Sequence, residues 1–467
     1  MTMKQNMRGI MIAAVKSGSG KTTVTCALLE ALKQRGCRPA SFKCGPDYID
    51  PMFHKTVIDV PSCNLDSFFC EEELLREIYS QRMTDNGIGV VEGVMGLFDG
   101  LGGVHEEGSA YHVASILQLP ILLVVDAHGM GRSILPLLAG FLKYDRENRI
   151  KGVILNRTSR NFCERIAPVI EAELSLPVFG FLPNKSELKL ESRHLGLKLP
   201  EEVKDIKKQI CASAHTLEEC VAVDRIIEMS DLAGSIPCSD DSLSRYVSPV
   251  LSQSPIRIGI ALDEAFCFYY EENLNLLKKL GAKLIPFSPL HDHVLPEQLD
   301  GLLLGGGYPE LHAKRLEENV AMRSSIRQAI QSGMPSVAEC GGFLYLHAAL
   351  QNEKGETYEM CNVLPGKCFY AGKLVRFGYI ELAEKQPVFL SKGSVIKGHE
   401  FHYYDSETNG LDCTARKPAS GVSFDCIHLG RCHFWGFPHL YYPSSPDFAV
   451  HFLEEARRFS EKNLRIC

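Results

Sequence analysis

No stretch of this chain is apolar for long enough to cross a bilayer, which excludes a helical membrane protein. Its start, Met-Thr-Met-Lys-Gln-Asn, lacks the pattern of a secretory leader, and the cytoplasm is the expected compartment. Excess positive charge is missing too. Fifty Lys and Arg stand against 57 Asp and Glu, a formal charge of -7, which offers nucleic acid no footprint. There is no internal repeat and no low-complexity tract. Cysteine is plentiful at 17, but the number is odd and no Cys-x-x-Cys pair occurs. That argues against a disulfide scaffold or a structural zinc site, and for mostly buried thiols in a reducing compartment. What remains is an ordinary soluble composition, 45% hydrophobic and 23% charged. At 467 residues the chain is too long for one core, so two or three domains are expected.

The most informative segment is Lys16-Ser17-Gly18-Ser19-Gly20-Lys21-Thr22-Thr23, directly after the apolar run Ile10–Ala14. Strand, glycine turn and helix in that order cradle a nucleotide triphosphate. Gly18 and Gly20 let the backbone aim several amides at one phosphate group. Lys21 would reach the outer phosphates and the Thr22 hydroxyl would hold magnesium. The helix expected over residues 23–33 adds its positive end to the anion site. Val15 stands where the usual loop has its first glycine, so the segment fits the variant loop with an extra lysine, Lys16. ATP or GTP is the expected ligand.

Apolar runs alternate with amphipathic stretches through the first half, as in a parallel α/β sheet. Strands are predicted over residues 9–15, 39–43, 87–92, 121–126, 152–156 and 178–182, with helices over 71–82, 133–142 and 163–174 among the connections. Periodicity fails around residues 230–254, where a polar, turn-rich run reads as a linker. A second α/β unit follows, with strands predicted over 257–262, 283–287, 301–304 and 336–339. Shorter strand-like pieces cover 374–382 and 394–403, and a final helix covers 446–459. The expected architecture is two doubly wound α/β domains, 1–235 and 255–467, joined by a linker at 236–254.

In the second domain the predicted strand ending at Glu339 runs into Cys340-Gly341-Gly342 and an apolar helix predicted over 343–349. A nucleophile between strand and helix, followed by glycines, forms an elbow that exposes its side chain above a sheet. The helix amino terminus is expected to favour the thiolate. Upstream, Gly305-Gly306-Gly307-Tyr308-Pro309-Glu310 also follows a strand and can offer amides to an oxyanion. A thiolate nucleophile needs a base, and His399, His402, His433 and His439 are candidates that the sequence alone does not rank.

Taken together, these segments resemble the cobyrinate a,c-diamide synthases, a family of corrinoid biosynthesis. The resemblance covers essentially the whole chain. It rests on Ser17–Thr23, on Phe42-Lys-Cys-Gly-Pro-Asp-Tyr-Ile-Asp-Pro51, on Asn64-Leu-Asp66 and on Glu92-Gly-Val-Met-Gly-Leu-Phe-Asp-Gly100. It extends to Ser192-Arg-His-Leu-Gly-Leu197, Gly305–Glu310, Ala338–Gly342 and Gly398-His-Glu-Phe-His402. It implies a P-loop, dethiobiotin-synthetase-like domain followed by a class I glutamine amidotransferase-like domain. The implied activity is ATP-dependent amidation of the a and c carboxylates of cobyrinate through acyl phosphates, with ammonia from glutamine.

By the same resemblance, Ser17, Gly18, Ser19, Gly20, Lys21, Thr22 and Thr23 would hold ATP, and Asn156 would read its purine. Thr22, Asp47 and Glu92 would hold Mg2+. Tyr48 and Ile49 would touch the corrinoid, and Asp99 would lie on the substrate side. Cys340 is the implied nucleophile and His439 its partner. Tyr441 replaces the acid of other class I glutaminases, so a dyad is expected. The implied partners are small molecules (corrinoid, glutamine and ATP), with no nucleic acid, no membrane, and a homodimer left open. Lys16 would then either reach a partner's nucleotide or be a surface lysine. The same motifs suit hydrogenobyrinate or nickel sirohydrochlorin as substrate, and cobyrate synthase is a cousin that amidates four other carboxylates. A partitioning-type ATPase would share the variant loop but have no use for Cys340.

Overall fold

The protein is represented by a computed structural model that describes residues 3–185, 188, 192–193, 196–197, 205–238, 246 and 255–464. It separates into two units, Met1–Ser242 and Leu243–Cys467. The first unit runs β1 (Met3–Asn6), β2 (Gly9–Ala14), α1 (Lys21–Gln34), β3 (Pro39–Cys44), α2 (Ile49–Phe53), β4 (Ser62–Leu65), α3 (Glu72–Arg82) and β5 (Ile88–Glu92). It continues with α4 (Ala110–Ile116), β6 (Ile121–Asp126), α5 (Ile134–Tyr144), β7 (Ile150–Asn156), α6 (Arg160–Leu174) and β8 (Val178–Leu182). A two-residue pair, β9 (Ser192–Arg193) and β10 (Gly196–Leu197), precedes α7 (Ile206–Cys220), α8 (Val223–Ser230) and β11 (Ser235–Cys238).

Seven of these strands form one parallel sheet in the order β4-β3-β5-β2-β6-β7-β8. Helices cover both faces of such a sheet, which is why its strands read as continuous apolar runs. Every residue of β2 and β5 is buried. The chain leaves β2 for β3, two places away, and returns beside β2 with β5 before β6 adds to the far side. Ligands of such sheets bind at the carboxyl ends of the strands where the winding reverses. Residues 16–23, Lys43, Glu92 and Asn156 all lie at or just beyond those ends. The predicted strands and helices of this unit fall within a few residues of their observed limits. The short β4 escaped the sequence reading because Ser62 and Asn64 break its apolar run. Ser235–Cys238, where the expected linker begins, is a strand that pairs antiparallel with β1, and the linker's other residues, 239–245 and 247–254, lie outside the described residues. His194 and Leu195 of the Ser192–Leu197 motif lie outside them as well.

The second unit runs β12 (Ile256–Ala261), α9 (Glu271–Lys279), β13 (Ala282–Phe287), β14 (Gly301–Leu304), α10 (Ala313–Glu318), α11 (Val320–Gln331), β15 (Ser336–Glu339) and α12 (Gly341–Leu346). Then come β16 (His347–Gln351), β17 (Thr357–Glu359), β18 (Leu364–Glu384), β19 (Ile396–Ser406), β20 (Cys413–Arg416) and β21 (Ser423–Cys426). The unit ends with β22 (His428–Gly430), β23 (His433–Gly436), β24 (His439–Leu440) and α13 (Asp447–Leu464). One sheet has the order β13-β12-β14-β15-β23-β22 and is parallel apart from its edge strand β22. A second, mixed sheet has the order β17-β16-β18-β19-β24, with β20 and β21 extending from β18. Two apolar clusters fill the unit, one with Ile258, Val337, Phe434 and Phe448, the other with Phe266, Phe343, Leu304 and Phe437.

One expectation is corrected here. The helix predicted over 343–349 stops at Leu346, and His347–Gln351 is strand β16, parallel to β18. His347 causes the break: its Nδ1 bonds the carbonyl of Phe343 at 2.8 Å and its Nε2 meets Ser406 Oγ at 2.7 Å. The imidazole thereby takes a carbonyl of the last turn and ties the chain to β19.

The elbow around Cys340 depends on close backbone approach. A Cβ on Gly342 would stand 2.1 Å from the carbonyl oxygen of Leu304, and that backbone cannot yield as a side chain would. Gly342→Ala should therefore cost the second unit about 1–3 kcal/mol. The sequence has a single tryptophan, Trp435 in β23, so denaturant unfolding followed by its fluorescence reads this unit alone. An unchanged transition would contradict this packing.

Candidate active sites

In the first unit the loop after β2 adopts the conformation its glycines permit. Gly18 has φ 75° and Gly20 φ 98°, and a Cβ on Gly20 would fall 2.1 Å from Asn156 Nδ2. Ser19 is buried and its hydroxyl donates to the carbonyl of Lys16 at 2.9 Å. Asn156, at the end of β7, donates from Nδ2 to the carbonyl of Ser19 at 2.8 Å and accepts at Oδ1 from the amide of Arg157 at 2.9 Å. Its amide thus braces the loop. Lys16, Ser17 and Gly18 are exposed, Thr22 and Thr23 half-buried. Helix α1 has no acidic residue in its first turn, which leaves its positive end free of a competing charge. Lys21 donates to the carbonyl of Met95. Burial, helped by Lys43, lowers its pKa to about 8 against the pull of Glu92, Asp99 and Asp50.

The centre of this site is a residue the sequence reading did not single out. Lys43, at the end of β3, is buried and places its ammonium 2.5 Å from Asp50 Oδ2, 2.7 Å from Glu92 Oε1 and 3.9 Å from Asp47 Oδ2. Burial works against that charge, but Asp50, Glu92 and Asp47 outweigh it and hold the ammonium well above its usual range. One ammonium cannot neutralise three carboxylates. Asp50 stays low despite burial, held by Lys43. Glu92 is pushed up to about 7 and Asp47 to about 6, burial being the main cause in each. Thr22 Oγ1 donates to Glu92 Oε1 at 2.6 Å. Glu92 Oε2 is buried with no hydrogen bond, 3.8 Å from the equally unbonded Nε2 of His54. His54 is fully buried, bonds Ser41 Oγ at 2.8 Å through Nδ1 and is held neutral down to about 4 by burial.

Asp47 Oδ1 accepts from the amides of Ile49 and Asp50 at 2.9 and 3.1 Å, which starts α2. Asn64 secures that turn by donating to the carbonyls of Gly45 and Asp47 at 2.9 and 2.7 Å. Of the two residues assigned to the corrinoid, Ile49 is buried and Tyr48 half-buried. Asp99 Oδ2 accepts from the amide of Gly96 at 2.8 Å, within the loop that carries Met95. The structure therefore brings Lys21, Thr22, Asp47, Glu92 and Asp99 into one neighbourhood with Lys43 and Asp50. The available signal for Lys43 was an ionisable residue closing the buried run Ala40–Phe42.

In the second unit Cys340 stands between β15 and α12 with φ 46° and ψ -102°, a strained elbow. Its amide donates to the carbonyl of Gly436 at 2.9 Å, and the amide of Gly342 donates to that of Gly305 at 2.9 Å. The elbow therefore lies against the triple-glycine loop. In that loop Gly305 donates to Tyr269 Oη at 2.8 Å and Tyr308 to the carbonyl of Ala265 at 2.9 Å, so these amides are committed inward. A Cβ on Gly306 would stand 2.4 Å from His439 Cε1, and one on Gly341 would stand 3.1 Å from the amide nitrogen of Gly307. The loop is the shared neighbour of nucleophile and base.

The fold ranks the four histidines. His433 lies opposite Ser336 at the start of β15, the strand end remote from Cys340, and stacks on Trp435. His402 bonds Glu400 Oε2 and the carbonyl of Tyr404. His399 is held by Tyr270 Oη at 3.0 Å and stacks on His439 at 5.1 Å. Among the four, His439 is the one against the glycine loop. Tyr441 is buried against Tyr270, as befits a residue that packs and carries no charge.

The expectation that helix α12 lowers the Cys340 pKa is overturned. Burial pushes the thiol up, and Glu310 and Glu400 push it further, while one bond from the amide of Gly341 opposes them. His439 is lowered to about 3 by burial, then by His402. The resting pair is a neutral thiol beside a neutral imidazole.

Residues 10–197 match the CobQ/CobB/MinD/ParA nucleotide binding domain, and residues 257–426 the CobB/CobQ-like glutamine amidotransferase domain. With relatives named as synthases, these halves define the class of protein: a glutamine amidotransferase ligase that works on small molecules. The chain is 37% identical to the cobyrinate a,c-diamide synthase of Caldanaerobacter subterraneus subsp. tengcongensis over 460 residues, 97% of this chain and 100% of the relative. It is 40% identical to that of Listeria innocua, covering 87% of this chain and 89% of the relative, and 37% identical to that of Priestia megaterium, covering 96% and 97%. The chain belongs to the cobyrinate a,c-diamide synthase family. No helix among the described residues is long and apolar enough to cross a membrane.

The buried imidazoles of the second unit have a consequence for stability. In an unfolded chain they protonate near 6.5, whereas in the fold His347 stays neutral to about 4, His439 to about 3, and His399 well below its usual value, each through burial. Between those values the unfolded state binds protons that the fold refuses, so acidification lowers stability. Glu339, raised by burial to about 8, acts oppositely, because its extra proton favours the fold as pH falls from 8 to 4.5. Three imidazoles outweigh one carboxyl. Melting followed by Trp435 fluorescence should fall steadily from pH 6.5 to 4.5, and a rise over that range would refute the balance.

Proposed function

We propose that this enzyme amidates the a and c side-chain carboxylates of cobyrinate, each through an acyl phosphate, with ammonia released from glutamine. The observation that carries the reading is a thiol elbow, glycine loop and buried imidazole in one unit of a chain whose other unit holds a phosphate loop. A carboxylate is a poor acyl donor because its oxygen would leave as oxide. Attack of that carboxylate on the γ-phosphorus of ATP expels ADP and leaves a mixed anhydride. Ammonia then adds to the acyl carbon, phosphate departs, and the amide remains.

In the first unit the amides of residues 17–23 and the Lys21 ammonium receive the phosphates. Asn156 holds the loop in place and would also read the purine. Among the described residues no three His, Cys, Asp or Glu side chains form a ready cage for a metal. Mg2+ keeps waters and phosphate oxygens and takes one or two carboxylates. Thr22, Asp47 and Glu92 supply hard oxygens, and the unbonded, buried Glu92 Oε2 together with the charge deficit around Lys43 fits a second cation. When bound, the ion neutralises charge on the transferring phosphoryl group. Tyr48, Ile49 and Asp99 would contact the corrinoid.

In the second unit His439 takes the Cys340 proton as sulfur attacks the glutamine carboxamide, and returns it to the departing ammonia. Water then cleaves the thioester to glutamate. The free thiols whose side chains are described suit a reducing cytoplasm.

The test is incubation with cobyrinate, ATP, magnesium and glutamine, with products read by mass. Two amidations are expected. Four would indicate cobyrate synthase chemistry, and none, with ATP still bound, would refute the reading. Cys340→Ala should abolish synthesis from glutamine and retain synthesis from ammonium salts.

A further inference from the structure

On β19, next to the His399 that pairs with and stacks on His439, lies a carboxylate that the reaction as drawn does not use. Glu400, in the middle of β19, is completely buried. One oxygen is well served: Oε2 lies 3.1 Å from Arg376 Nε and 2.9 Å from His402 Nε2. The other, Oε1, is buried and makes no hydrogen bond. A buried carboxylate oxygen without a donor is costly, and such a group calls for a functional or structural reason.

The surrounding cations are otherwise engaged. Arg376 also bonds Asp405 Oδ1 at 3.1 Å and lies over the rings of Phe437 and Phe424. Lys417 gives its ammonium to the carbonyls of Arg376, Phe377 and Gly378. The backbone is bent to arrange this. Arg376 has φ 50°, and the β18–β19 register slips on both sides of Val375. Such irregularities re-aim side chains next to active sites.

The chain links Glu400 to the nucleophile through its partner His402, which stacks at 4.1 Å on Phe437, next to the Gly436 whose carbonyl accepts from the Cys340 amide; consistent with this, the charges of Glu310 and Glu400 raise the thiol. The substrate to be held there carries one cation. Glutamine has an ammonium group at its α-carbon, two methylenes from the amide that Cys340 attacks.

We propose that Glu400 receives the α-ammonium group of glutamine through Oε1, with Arg376 and His402 as positioning residues that hold the carboxylate by its other oxygen. This deepens the reading of Cys340 as the glutaminase nucleophile and rests on it. Charge neutralisation at Glu400 on binding would also ease ionisation of the thiol, so that sulfur becomes reactive only beside its substrate.

The experiment compares glutamine with glutaramate, the same amide and carboxylate without the ammonium group, by ammonia release. Wild type should strongly prefer glutamine. Glu400→Gln should lose about 10–100-fold in kcat/KM for glutamine, mostly through KM, with far less effect on glutaramate. The preference then collapses. A purely structural role would lower both substrates by the same factor, and that result overturns the proposal. Should Glu400→Gln not fold, Glu400→Asp keeps the charge at shorter reach. A higher KM for glutamine alone supports the proposal, and equal losses refute it. Cys340→Ala is the companion arm. Persisting glutamine turnover there removes the underlying reading, whereas a dead Cys340→Ala beside an intact preference in Glu400→Gln removes only the role of Glu400.

Discussion

The nucleotide site depends on how one buried ammonium is shared. Lys43 lies between Glu92 and Asp50, out of water, and each partner is tolerable there only because of the others. Removing one member of such a group strands a buried charge at a cost of about 3–5 kcal/mol. The strand order sets this up. β3 and β5 are neighbours, so Lys43, one residue before the end of β3, and Glu92, which closes β5, stand opposite each other in register. β5 also adjoins β2, which delivers Thr22 to the same carboxylate. A parallel sheet with its winding reversed at this point thus concentrates cation, carboxylates and phosphate loop at one edge. The excess of negative charge left there is what an additional cation would relieve.

The second unit solves a different problem with similar means. Its nucleophile needs three stretches of backbone to approach closely, and glycine supplies each contact. Gly342 meets the carbonyl of Leu304, Gly306 meets the His439 ring, and Gly436 accepts from the amide of Cys340. The catalytic groups are held dry, and dryness silences them. Burial raises the thiol and lowers the imidazole, so neither carries charge at rest. A free, low-pKa thiol would be open to oxidation, whereas this arrangement ties reactivity to an incoming ligand.

Much of this was legible in the chain. The phosphate loop, the elbow and the alternation of strand and helix are local patterns, and local patterns survive in one dimension. Lys43, Asp50 and His54 were not legible as a site, because what matters is the register of β3 against β5. The same holds for Glu400, whose significance is an unsatisfied oxygen that only coordinates reveal. Asn156 was expected as a reader of the base through resemblance, while its visible bonds are to the loop carbonyl of Ser19 and from the amide of Arg157. The helix after Cys340 was overextended because the apolar run continues through Ala349. A single imidazole, His347, found partners in Phe343 and Ser406 that no periodicity could announce.

The pairing of β1 with β11 has a consequence during synthesis. Met3–Asn6 leaves the ribosome long before its partner Ser235–Cys238, which follows only after the whole nucleotide-binding sheet. At roughly 5–20 residues per second, the leading strand waits on the order of ten seconds or more before it can dock. Closure of this antiparallel ribbon therefore marks the end of the first unit's maturation, and it comes as the nascent chain begins the amidotransferase half.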